Sequence, residues 1–122
     1  VSATVHLLDA VVDGQRTSHL ALMVDHALVG YCAVRWDEER TVISDLFVDE
    51  VYRGRGYGSV LFRQAMWMAR GSSKRVVLWV RSDNPIRSWY ERLGWAHYAT
   101  GSDGLVWYQL SGTGETPEVA HG

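Results

Sequence analysis

The stretch "VYRGRGYGSVLFRQA" (Val51 to Ala65) alternates Arg53, Arg55 and Tyr57 with Gly54, Gly56 and Gly58, just ahead of an apolar run. Glycine permits positive φ and lets a ligand approach the main chain without meeting a Cβ. Successive N–H groups at a helix start, with the helix dipole behind them, favour an anion such as a phosphate. Arg53 and Arg55 would add charge-assisted donors. A tight strand-to-helix turn with solvated arginines uses the same residues, so the stretch alone leaves both readings open. A P-loop is excluded because the Gly-Lys-Ser/Thr ending is absent, and the G-x-G-x-x-G dinucleotide spacing is not met.

Other reactive side chains are sparse. The five histidines (His6, His19, His26, His97 and His121) show no metal-ligand spacing, and none stands out as a base. Cys32 is the only cysteine, which rules out an internal disulfide and a CxxC metal site. Within "LVGYCAVRW" it reads as a buried strand thiol. The 122 residues are 47% hydrophobic, with 12 Lys plus Arg against 14 Asp plus Glu and a net charge of -2. That composition describes one globular domain without general affinity for nucleic acid or anionic membrane. No apolar run approaches the roughly 20 residues of a membrane span, and no signal peptide is visible. The expected compartment is a reducing cytoplasm. The chain starts at Val1 rather than methionine, which fits processing, an alternative start or a domain of something longer.

The elements that would position the glycine stretch follow from periodicity. "TVHLLDAVV" (residues 4–12) reads as a first strand and "DGQRTS" as a loop. "HLALMV" and "LVGYCAVRW" form a hairpin about residues 25–27, and "DEER" turns the chain into "TVISDLFV" (residues 41–48). From Ser59 onward Leu61, Ala65, Met68 and Ala69 recur at helical spacing, with Gly71 at the helix end. "RVVLWV" (residues 75–80) is apolar throughout, as a central strand covered on both faces would be. "SDNP" offers helix caps, "IRSWYERLG" a short helix stopped at Gly94, and "WAHYAT" with "LVWYQL" a closing hairpin. The order β-β-β-β-α-β-α-β-β is mixed α/β, and the crossover helix makes its flanking strands parallel neighbours. Residues 1–110 read as the domain and 111–122 as a polar, flexible tail. Most of the six tryptophans are expected in the core, with Trp36 a candidate for the acceptor side. Trp67 is expected to be exposed and to serve a homodimer contact.

At this point the chain resembles the GNAT N-acetyltransferase superfamily. "LFVDEVYRGRGYGSVL" is similar to its acetyl-CoA motif, with Arg53, Gly56 and Gly58 in the Arg-x-x-Gly-x-Gly slots. "NPIRSWYERLGW" matches its second signature through Asn84, Tyr90, Gly94 and Trp95, one strand further on. The resemblance runs from about Ala21 to Leu110. It implies a GNAT fold of six to seven strands and two main helices. It further implies acetyl-CoA as acyl donor, a primary amine as acceptor, and no metal. The pantetheine would lie along Leu46, Phe47 and Val48, one of whose amides polarises the thioester. The pyrophosphate would rest on the amides from Arg53 through Gly54, Arg55, Gly56, Tyr57 and Gly58 to Ser59. Asn84 would contact the pantetheine, Tyr90 would protonate the departing sulfur, and Asp45 would act as base, directly or through water.

Two features depart from the family pattern. About seven polar residues separate the first two strands, where members usually place the helices that wall the acceptor site. Ile86 stands where a small alanine is common. An open acceptor cleft suits a peptide or protein amine, and a wall supplied by a second subunit suits a small amine. The rival reading is an inactive module of this type that binds coenzyme A and regulates a partner.

Overall fold

The computed structural model describes residues 3–71 and 75–110. The polar tail expected at 111–122 therefore lies outside the described residues. Seven strands form one sheet: β1 (Ala3–Val12), β2 (Gln15–Val24), β3 (Ala27–Trp36), β4 (Arg40–Val48), β5 (Arg75–Arg81), β6 (Trp95–Thr100) and β7 (Leu105–Leu110). Helix α1 (Tyr57–Arg70) links β4 to β5, and α2 (Arg87–Arg92) links β5 to β6. The strand order is β1-β2-β3-β4-β5-β7-β6, antiparallel except for the parallel pair β4–β5 that the crossover helix imposes.

Both helices lie on the same face. Leu61, Phe62, Ala65, Met66 and Ala69 of α1 are buried over the sheet, against Leu20, Leu22, Cys32, Val34 and Ile43. Phe62 joins the helices, its ring 5.4 Å from both Trp89 and Tyr90 of α2 and 5.9 Å from Trp95. The expected stripe is right for Leu61, Ala65 and Ala69, whereas Met68 is half-buried and Phe62 and Met66 take core places beside it. Gly30 makes the close approach of α1 to β3 feasible. A Cβ there would come within 2.8 Å of Leu61 Cδ1 and 3.1 Å of the Phe47 carbonyl oxygen.

The first connection is shorter than expected. β1 and β2 are joined by Asp13 and Gly14 alone, at φ 51° and 78°, the left-handed pair that a two-residue hairpin requires. Arg16 and Thr17 extend β2, and the buried Ser18 donates to Asp9 across the pair. A hairpin that tight leaves no chain for covering helices, so the second face of the sheet stays bare among the described residues. Trp79 and Trp107 stand on that face, whereas Trp36 and Trp89 pack against the helix-side core and Trp67 lies on α1. Only Trp95 is buried; Trp36, Trp79, Trp89 and Trp107 are half-buried, and Trp67 is 74% exposed. On the second face the Arg40 guanidinium lies 4.8 Å from the Trp107 ring, while Arg16, 4.3 Å from Trp36, sits on the helix side.

Candidate functional site

Parallel pairing of β4 with β5 runs from Arg40↔Arg75 to Ile43↔Leu78 and goes no further. Beyond it β4 carries a bulge: Ala33 pairs with Ser44 and Tyr31 with Phe47, so Asp45 and Leu46 together oppose Cys32. Asp45 sits at φ 60°, the local kink that turns β4 aside. β5 meanwhile keeps its register with β7 as far as Arg81↔Leu105. The two strands diverge, and the gap is a cleft of about 600 Å³. Leu46, Phe47 and Val48 wall it on one side, Gly56, Tyr57, Gly58 and Ser59 at its end, and Asn84, Pro85, Ile86 and Trp89 opposite. The divergence leaves the β5-facing side of Leu46–Val48 without a strand partner, open to an extended ligand.

The glycine turn has the positive φ its residues suggested and begins the helix two residues earlier than Ser59. Gly54 and Gly56 have φ 81° and 86°. A Cβ on either would meet nothing within 4 Å, so backbone angle and not crowding selects glycine there. Gly56 is the N-cap of α1 without any side-chain cap, and the first ladder bond joins Val60 N to the Gly56 oxygen at 3.1 Å. The amides of Tyr57, Gly58 and Ser59 precede that ladder and line the cleft end. Donors gathered at the positive end of a 14-residue helix suit a phosphate. Arg53 also reaches the cleft, with its Nε donating to the Val48 carbonyl at 2.8 Å, which staples the turn to the end of β4. Arg55 instead lies over the Tyr52 ring at 5.5 Å and is not part of the cleft wall.

Asn84 lines the cleft, and its side-chain oxygen accepts from Ile86 N at 3.0 Å, which commits the oxygen and not the NH2 group to the turn. Tyr90 is only 3% exposed and is not among the lining residues. Burial first, and then the neighbouring Cys32, push its phenol far up, so it stays protonated throughout the working range of the protein. Cys32 is fully buried as expected, and burial raises its thiol to about 12. Trp36, opposite Thr41 at the far end of β3, lies away from the cleft. Glu50 is exposed in the 3-10 turn Glu50–Tyr52.

Two groupings escaped the sequence reading. Tyr108 donates to Glu91 Oε2 at 2.7 Å and accepts from Arg87 Nε at 3.0 Å, which ties both ends of α2 to β7. On the bare face, the Tyr31 hydroxyl and His19 Nδ1 are 2.5 Å apart, with their rings stacked at 5.9 Å. Burial, then the Asp45 charge, then Cys32 raise the Tyr31 phenol, so Asp45 belongs to the same neighbourhood. The Asp45 carboxylate accepts from the Ser44 hydroxyl at 3.1 Å and is exposed. No metal-ligand spacing or conspicuous motif marks His19; only the strand register brings it to Tyr31.

Comparison with known proteins bears on this geometry. A sequence comparison with curated proteins finds no match. Among solved structures, the chain is similar to the PaiA N-acetyltransferase of Thermoplasma acidophilum in complex with coenzyme A. That match has 17% identity and a TM-score of 0.68 over 77% of this chain and 60% of the other. An acetyltransferase from Thermus thermophilus is 24% identical, with a TM-score of 0.67 over 80% and 64% of the two chains. One from Streptococcus agalactiae is 22% identical, with a TM-score of 0.66 over 77% and 66%. These likenesses show the fold, and the chain spans less than two thirds of the length of the first two. The acetyltransferase (GNAT) domain family matches residues 15–97, which hold the diverging strands, the glycine turn and α2. By that match and that fold, the chain belongs to the GNAT acetyltransferase family.

Proposed function

We propose that the cleft binds acetyl-CoA and that the chain transfers the acetyl group to a primary amine by direct attack. One observation carries the reading: the gap between β4 and β5 ends on the uncapped N-terminus of α1, as a thioester on a pyrophosphate-bearing arm requires. The pantetheine lies along Leu46, Phe47 and Val48 as an added strand, and the pyrophosphate rests on the amides between Gly54 and Ser59. Arg53 contributes charge at the turn, and the amide of Asn84 meets the arm from the other wall. An N–H of the Leu46–Val48 stretch serves the thioester oxygen, where negative charge grows in the transition state. The Thermoplasma neighbour, solved in complex with coenzyme A, supports coenzyme binding by this fold.

The departing thiolate gains a proton from Tyr90, whose phenol burial keeps protonated while making it a weaker acid than a free phenol. The helix side of the gap holds the coenzyme, so the amine enters from the bare face, where Asp45 offers a counter-charge to an ammonium group. With Asp13 and Gly14 as the whole β1–β2 connection, that face favours an amine on a peptide or protein. Thiol release across polyamines, amino acids, aminoglycosides and lysine peptides tests the reading. Turnover with lysine peptides, reduced at least tenfold by Tyr90→Phe, is the expected result. Unchanged turnover in Tyr90→Phe removes the acid role.

The bare acceptor face and the absence of Tyr90 from the cleft wall favour a second reading, a coenzyme A-binding module that regulates a partner. Tight coenzyme binding with no thiol release from any amine would select it.

A further inference from the structure

The acceptor side has a proton problem that Asp45 alone does not solve. An aliphatic amine is protonated at neutral pH, so it must lose a proton before its lone pair can attack. On the second face one built pair stands next to the cleft wall, without itself lining the cleft. Tyr31 is directly opposite Phe47, in the middle of the stretch that walls the cleft. His19 lies one diagonal step away, because His19 pairs with Ala33 and Ala21 with Tyr31. Their 2.5 Å contact and stacked rings fix the imidazole against the phenol, and both side chains are half-buried.

Resting on the transfer reading above, we propose that Tyr31 and His19 form the proton exit for the acceptor amine. Tyr31 touches the nitrogen, and His19 acts through it. The phenol is held protonated, so it takes no proton unless it gives one up in the same movement. The ammonium N–H passes its proton to the Tyr31 oxygen while the Tyr31 O–H proton passes to His19 Nδ1. The nitrogen then holds its lone pair for the thioester carbon, Tyr31 is neutral again, and His19 is an imidazolium. Nε2 returns the proton to solvent. Asp45 serves as counter-ion to the ammonium before the transfer and to the imidazolium after it. The charged and titratable groups near His19 by register are His6 from β1 and Tyr31 and Arg35 from β3, and Asp45 of the β4 bulge acts on Tyr31. Within β2 its same-face neighbours, Thr17 and Ala21, are uncharged.

The test measures kcat/KM for the best polyamine or lysine peptide, from neutral pH up to the ammonium's own pKa, in wild type, Tyr31→Phe and His19→Gln. Both variants should lose about 100-fold at neutral pH. The deficit should shrink as pH rises and the amine deprotonates unaided, while acetyl-CoA affinity stays at the wild-type value. Full activity at neutral pH, or a deficit constant across pH, overturns the relay and leaves acetyl transfer standing. A wild type that binds acetyl-CoA yet acetylates no amine overturns the transfer reading and the relay with it. Ring 15N spectra of wild-type His19 give a readout independent of turnover and of variant folding. The neutral ring must carry its proton on Nε2; a proton on Nδ1 overturns the proposal.

Discussion

Gly56 holds φ at 86° with open space where a Cβ would sit, so a substitution there strains only the backbone. Gly56→Ala should destabilise the fold by about 1–2 kcal/mol. It should also weaken acetyl-CoA binding, because the amides of Tyr57, Gly58 and Ser59 take their aim from that residue; titration calorimetry checks this. Wild-type affinity in a folded variant would mean that the turn does not hold the coenzyme. At this scale the sequence was most informative where backbone geometry demands a residue type. Gly54 and Gly56 are cases, since left-handed φ calls for glycine there. It was least informative for His19. The chain turns on Asp25 and His26 alone, not on the 25–27 break expected, and counting outward from that turn would place His19 opposite Cys32, on the other face from Tyr31. The extra residue in β3, between Leu28 and Gly30, shifts the register by one and brings the two together. A single bulge of that kind leaves no mark in hydrophobic alternation.

Each connection between elements has its own physical cause. The β3–β4 turn is held by Asp37, whose carboxylate accepts from Glu39 N at 3.0 Å, Arg40 N at 2.8 Å and Arg40 Nε at 3.2 Å. Burial works against its charge, but the backbone amides of Arg40 and Glu39 and then the Arg40 side chain outweigh it, leaving the carboxyl below its ordinary 3.8. The folded carboxylate therefore releases its proton more readily than the unfolded one. Its contribution is complete above the ordinary value and disappears as pH falls through the lower, folded value. Asp37→Asn should lower stability at neutral pH by about 1 kcal/mol. Denaturant unfolding from pH 7 to pH 3 should show a gap to wild type that closes at the acid end. A gap that widens in acid would mean that Asp37 is not the group responsible. The order of strands and helices was legible because the hydrophobic period changes from two to 3.6 at the glycine turn. The β1–β2 connection was not. Its Asp-Gly signal is followed by polar Arg16, Thr17 and Ser18, which read as loop yet pair across the sheet with Val11, Ala10 and Asp9.

Among the described residues two helices cover one face of a seven-stranded sheet, and the other face carries no helix, although Ala33, Val42 and Val77 at its centre are buried beneath neighbouring side chains. Two of the tryptophans misled at this scale, because aromatic content on the second face predicts a core only if a second layer exists to enclose it. Trp79 and Trp107 pair across β5 and β7 and remain half-buried. Cys32, beneath α1, reports on the integrity of the covered side. Buried, with its thiol raised to about 12, it should resist a thiol reagent at pH 8 until the sheet opens. Its labelling rate should then follow unfolding and fall further with acetyl-CoA present. Rapid labelling of the native chain would mean that α1 does not seal that side.

Thermal unfolding against acetyl-CoA concentration tests coenzyme binding most directly. A ligand confined to the folded state stabilises it by about 2.7 kcal/mol at a hundred times its Kd. The midpoint should therefore climb steadily with acetyl-CoA, and less so in Gly56→Ala. A midpoint that stays flat up to millimolar acetyl-CoA would contradict the assignment of the cleft between β4 and β5 as a coenzyme site.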